Sequence, residues 1–275
     1  MERFKRALAL YIKYFLLRRT PTLVFSMERS GSVALLHSLQ SHGVFAIGAH
    51  YLAPERLAQQ RHSGSAGWAS KYIIGQQKPA KVISLVRSPI ENMLSTFARE
   101  DFGKKAHLQA DAAERVSADD LSVQFCRDYL QTDRYLQPLA WFETEFQVAL
   151  GIDLFGHKFD KQQGAVRFQE GPYEVLIMRT ELEESLKAAL VADFVGIPNL
   201  KISNAALASE TSASVKRRLP PGKPGDQTDY AAKYKALKEH LVIPPEYLDV
   251  IVDSRYVQHF FTLEEREAMK LKYSR

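Results

Sequence analysis

The stretch covering residues 22–36 constrains this chain more than any other, because its hydrophobic period changes twice within fifteen residues. Residues 21–26 are apolar and read as a short buried strand. Residues 29–42 carry apolar side chains at helical spacing, and a polar turn joins the two. A strand that runs into a helix N-terminus through such a turn builds an anion cradle. The first N–H groups of the helix point outward, and its dipole favours negative charge there. Gly31 lets a ligand approach the backbone, Ser30 and Ser32 supply hydroxyls, and Arg29 adds a fixed positive fork. The expected ligand is phosphorylated.

The turn departs from the triphosphate-binding pattern G-x-x-x-x-G-K-[ST]. No glycine stands five residues before Gly31, no lysine follows it, and Val33 occupies the position of the magnesium-binding hydroxyl. Triphosphate chemistry is therefore disfavoured.

Further along, residues 44–47 read as a second strand ending in Gly48-Ala49-His50. Residues 81–86 read as a third, and residues 173–178 as another buried strand. Helices are expected from Ile90, across residues 120–150, through Leu182, Leu186 and Leu190, and from Tyr230 onward with a break at Pro244-Pro245. Strands alternating with helices imply parallel pairing and a layered α/β domain. Ligands bind at the carboxyl ends of such strands, so residues 26–33, 48–50 and 87–95 should converge on one edge.

Composition adds limits. The chain has 275 residues, 45% of them hydrophobic, a net charge of +5 and one cysteine, Cys126. No intramolecular disulfide and no cysteine metal site can form, and the lone thiol suits a reducing, cytoplasmic setting. The mild positive charge suits an anionic ligand or surface, and there is no nucleic-acid motif. Residues 1–20 combine apolar side chains (Phe4, Leu8, Tyr11, Phe15) with Arg3, Lys5, Arg6, Arg18 and Arg19. This amphipathic helix is too short to span a bilayer, and no signal-peptide cleavage site follows it. Two dispositions stay open: docking on the domain, or peripheral contact with the inner face of a membrane.

Together these motifs resemble the sulfotransferases that use 3′-phosphoadenosine 5′-phosphosulfate. In that family a basic residue and Ser-Gly-Thr-Thr hold the 5′-phosphosulfate, and here Arg29-Ser30-Gly31-Ser32-Val33 stands in that place. The family's second motif is an arginine after a strand with a serine eight positions on. Here these are Arg87 and Ser95. Arg179-Thr180-Glu181-Leu182 and Phe194-Val195-Gly196 echo a third. A closer likeness is to bacterial capsular polysaccharide synthesis proteins. It is carried by Trp141-Phe142-Glu143-Thr144-Glu145, Gly151-Ile152-Asp153, Phe159-Asp160-Lys161 and the stretch from Asp253 to Phe261. The resemblance covers about residues 21–265.

It implies a P-loop-like three-layer α/β domain over residues 21–275, with a central, mainly parallel sheet flanked by helices and a helical C-terminal part. It implies 3′-phosphoadenosine 5′-phosphosulfate as donor, no metal, and a hydroxyl acceptor on a glycan, a glycolipid or a small molecule. Arg29, Ser30, Gly31, Ser32 and Val33 would hold the 5′ side, and Arg87 and Ser95 the 3′-phosphate. Lys216 and Arg217 would close over the nucleotide, or else form a solvated basic turn. His50 falls where the tyrosine sulfotransferases carry a catalytic carboxylate, which makes it the candidate base. A strand-end surface histidine is the alternative. Val33 in place of a hydroxyl, and the lack of an Arg-Lys-Gly adenine loop, are departures. A phosphotransferase and a non-catalytic anion-binding protein of polysaccharide assembly are the competing readings. Acceptor contacts are expected from residues 51–75 and 100–120.

Overall fold

A computed structural model of the protein describes residues 8–59, 64–99, 118–202 and 234–274. The chain divides into two compact units, Met1–Arg87 with Trp141–Ala208 and Ser88–Ala140 with Ser209–Arg275.

In the first unit the apolar runs pair as a five-stranded sheet. The strands are β1 (Thr22–Phe25), β2 (Ala46–Ala49), β3 (Ala80–Val86), β4 (Ala165–Glu170) and β5 (Tyr173–Arg179), in spatial order β2-β1-β3-β5-β4. All neighbours are parallel except β4, which runs antiparallel beside β5 at the edge. Phe25 lies opposite Ala49, Val24 opposite Ile83 and Val86 opposite Arg179. The carboxyl ends of β1, β2, β3 and β5 therefore share one edge, as the alternation of strands and helices predicts.

Both faces of the sheet are covered. On one, Val24, Ile83, Leu85, Leu176 and Met178 pack with Leu35 and Leu39 of the Ser32–Ser41 helix and with Val191 and Phe194 of the Glu184–Val195 helix. On the other, Phe25 meets Trp141 at 5.0 Å and stacks on Phe146 at 5.7 Å. Each such side chain contributes about 1.5–3 kcal/mol on burial. Apolar packing, more than the ladder hydrogen bonds, thus secures the edge where the strands end. Trp141 is core, and Trp68 packs edge-on against Tyr14 of the N-terminal helix.

The second unit is helical among its described residues. Pro89–Phe97 and Ala118–Phe125 meet through Phe97 and Phe125, whose ring centroids lie 5.3 Å apart. Pro245–Val252, Arg255–Phe260 and Leu263–Tyr273 follow, the last opened by a capping box between Thr262 and Glu265. Residues 120–150 are not one helix. At Thr132 the backbone is extended, and its hydroxyl donates to the Tyr129 carbonyl, ending the first segment. Cys126 is partly buried, and its thiol faces the Val242 carbonyl at 3.5 Å. Among the described residues no helix is long and apolar enough to cross a membrane.

Candidate functional site

The edge where β1 ends is organised by Ser26, which is fully buried. Its N–H donates to the Ala49 carbonyl at 3.2 Å, extending β1 along β2. The β1–β3 ladder ends at Val24, and the Ser26 hydroxyl takes the Leu85 N–H at 2.7 Å that the departing strand no longer serves. The Ser26 carbonyl accepts from His50 Nδ1 at 2.8 Å. A carbonyl can only accept, so Nδ1 carries a proton and Nε2 is the basic nitrogen of the neutral ring. The Trp141 indole N–H donates to the His50 carbonyl at 3.3 Å. His50 is thus fixed at both side chain and backbone.

The loop beyond Ser26 turns on two left-handed residues, Arg29 (φ 62°) and Gly31 (φ 86°). The Ser30 hydroxyl, fully buried, donates to the Met27 carbonyl at 2.9 Å and closes the turn. Two donors then pull on successive carbonyls. Arg87 Nη1 reaches the Arg29 oxygen at 2.6 Å, and Thr180 Oγ1 reaches the Ser30 oxygen at 2.9 Å. Thr180 is itself held, its N–H on the Val86 carbonyl at 2.7 Å and its own carbonyl on Lys187 Nζ at 2.8 Å. In a trans peptide the N–H of the next residue points opposite to the carbonyl. The N–H groups of Ser30 and Gly31 are thereby turned away from Arg87 and Thr180. They lead into the Ser32–Ser41 helix, whose N-cap, Gly31, places no side chain over the first turn. Such consecutive N–H groups at an uncapped helix start form an anion-binding concavity.

Glu145 is 1% exposed in this unit, and its Oε1 accepts from the N–H groups of Leu52 at 2.6 Å and Ala53 at 2.9 Å, just after His50. Its Oε2 has no hydrogen-bond partner among the described residues. Beside His50, burial first and then the Glu28 and Glu145 carboxylates raise the Tyr51 hydroxyl above the ordinary phenol value, against a lowering by Arg56.

The structure thus brings Arg29, Ser30, Gly31, Ser32, Arg87 and His50 to one edge. The side chain of Val33 is exposed, and only its backbone faces the helix start. Ser95 lies buried on the Pro89–Phe97 helix, in the second unit. Lys216 and Arg217 fall outside the described residues. His42 caps its helix through Nδ1 on the Ser38 carbonyl at 2.8 Å, the ordinary C-terminal role. Ser26, Thr180 and Glu145 hold this edge in roles that the sequence motifs do not assign to them. Only Thr180 had a readable signal, its place directly after a strand ending on the same edge.

The family model described as "Putative capsular polysaccharide synthesis protein" matches residues 122–262, just over half of the chain. The matched stretch holds Glu145, Thr180, β4 and β5, and lies beyond Arg29, His50 and Arg87. No curated protein and no solved structure matches the chain.

Proposed function

Starting from a chain that belongs to this capsular polysaccharide synthesis family, we propose that it moves a sulfuryl group from 3′-phosphoadenosine 5′-phosphosulfate to a hydroxyl of a glycan or glycolipid. The observation that carries this reading is the grip of Arg87 and Thr180 on the Arg29 and Ser30 carbonyls, which turns the N–H groups of Ser30 and Gly31 away from both donors. A P-loop-like cradle without the lysine and second hydroxyl of triphosphate sites suits a 5′-phosphosulfate.

In this reading Ser30, Gly31 and the first turn at Ser32 and Val33 give backbone donors to the 5′-phosphate. Arg29 adds charge where the leaving oxygen becomes negative; it stays protonated and acts electrostatically. Arg87, tied to the cradle through Arg29, is the arginine for the 3′-phosphate. His50 Nε2 takes the proton of the acceptor hydroxyl as its oxygen bonds to sulfur and the bond from sulfur to the 5′-phosphate breaks. Nδ1, already donating to Ser26, keeps the ring oriented for this. The family description supports a polysaccharide-related acceptor.

Isothermal titration calorimetry with 3′,5′-adenosine bisphosphate tests the reading. Binding is expected, weakened by about 1.5–3 kcal/mol in Arg29→Ala and in Arg87→Ala, the scale of a charged hydrogen bond. His50→Ala should bind as well as the parent and lose turnover. No binding at low salt, or binding of magnesium-ATP in its place, rejects sulfuryl transfer.

A further inference from the structure

The N-terminal helix leaves a contiguous apolar row in water. Leu8, Tyr11, Ile12, Phe15, Leu16 and Leu17 are 38–68% exposed. Leu8, Ile12 and Leu16 follow one another at helical intervals of four, with Tyr11 and Phe15 alongside. Single exposed apolar residues are ordinary, whereas a continuous row marks a contact surface.

The helix is nevertheless seated on its own unit. Tyr14 meets the Trp68 ring edge-on at 5.4 Å and Phe15 meets Tyr72 at 6.1 Å, while Trp68 leans on Phe45 at 6.4 Å. One side is anchored by aromatic rings, and the other is presented.

The surrounding charge has one sign. Residues 8–20 and 64–78 contain Lys13, Arg18, Arg19, Lys71 and Lys78 and no aspartate or glutamate. Lys13 Nζ lies 5.9 Å from the Phe45 ring and Lys71 Nζ 5.1 Å from the Tyr72 ring, so their apolar stems line the aromatic rim. Arg18 and Arg19 follow at the exposed end of the row. A second copy of the same face would oppose cation to cation. An anionic surface with an apolar interior meets both the row and its rim.

We propose that this face docks on an anionic lipid surface, with Leu8, Ile12, Leu16 and Leu17 at the acyl boundary and Lys13, Arg18 and Arg19 on the lipid phosphates. The proposal does not rest on sulfuryl transfer.

Co-sedimentation of the full chain with vesicles tests it. Phosphatidylcholine vesicles that include phosphatidylglycerol should retain about tenfold more protein than phosphatidylcholine alone. Retention should fall as salt shortens the Debye length from about 10 Å to about 3 Å. The double variant Leu16→Glu/Leu17→Glu should lose retention with its thermal midpoint unchanged, since both side chains are exposed. Lys13→Glu/Arg18→Glu should lose the preference for the anionic vesicles. Equal retention on both vesicle types, or retention untouched by the Leu16/Leu17 change, overturns the proposal. So does a dimer in sedimentation equilibrium that the same double variant dissolves.

Discussion

At the scale of single residues, Ser26 and Glu145 hold backbone groups that no ladder or helix would satisfy. Ser26→Ala leaves the Leu85 N–H unpaired at a fully buried position. The expected loss is about 1–3 kcal/mol, read as a lowered urea midpoint with an unchanged slope. Glu145→Ala strands two such N–H groups and should cost more than Ser26→Ala, with Glu145→Gln recovering most of the difference by restoring one acceptor. Neither role is legible in the sequence. A serine at a strand end and a glutamate in an amphipathic helix are ordinary, and their partners depend on which N–H groups the distant chain leaves over. Arg29, Gly31 and Arg87 are legible because a strand–turn–helix order fixes their place locally. The sequence does not reveal that Arg87 grips the Arg29 carbonyl, since that contact joins residues far apart in the chain.

At the scale of elements, the Ser32–Ser41 helix lies so close to β2 that a Cβ on Gly48 would come within 2.5 Å of Leu36 Cδ2. Gly48→Ala should therefore destabilise by about 1 kcal/mol as Leu36 shifts, with Gly48→Val costing more, both measurable by thermal unfolding. Gly31 is constrained differently: a Cβ there meets Thr180 Cγ2 at an easy 3.6 Å, and its requirement is the left-handed φ. The buried parallel strands were readable as continuous apolar runs. β4 was not, because as an edge strand it alternates half-buried with exposed positions after Ala165 and carries Arg167 and Gln169 outward. The break at Thr132 was hidden because helical periodicity averages over several turns and passes across a single extended residue.

At the scale of the whole molecule, alkaline stability should be limited by buried phenols. Burial first, then the Glu91 carboxylate and Tyr234, hold the Tyr273 hydroxyl well above its ordinary value of 10.0. Burial likewise raises Tyr173. The folded state keeps these protons where the unfolded chain would lose them. The stabilisation is thus complete below about pH 10 and is lost as pH rises through the elevated folded values. Thermal midpoints followed from about pH 9 to about pH 11 should fall, and Tyr273→Phe should flatten the fall.

The strand order has a consequence for how the protein is made. β3 pairs with β1 on one side at once, but its other neighbour, β5, begins 87 residues after β3 ends. A ribosome adding about 5–20 residues per second needs about 4–17 seconds to supply it. Throughout that interval the apolar edge of Ala80–Val86 is an open template on the nascent chain, and most of the stretch made meanwhile, Ser88 to Ala140, belongs to the other unit.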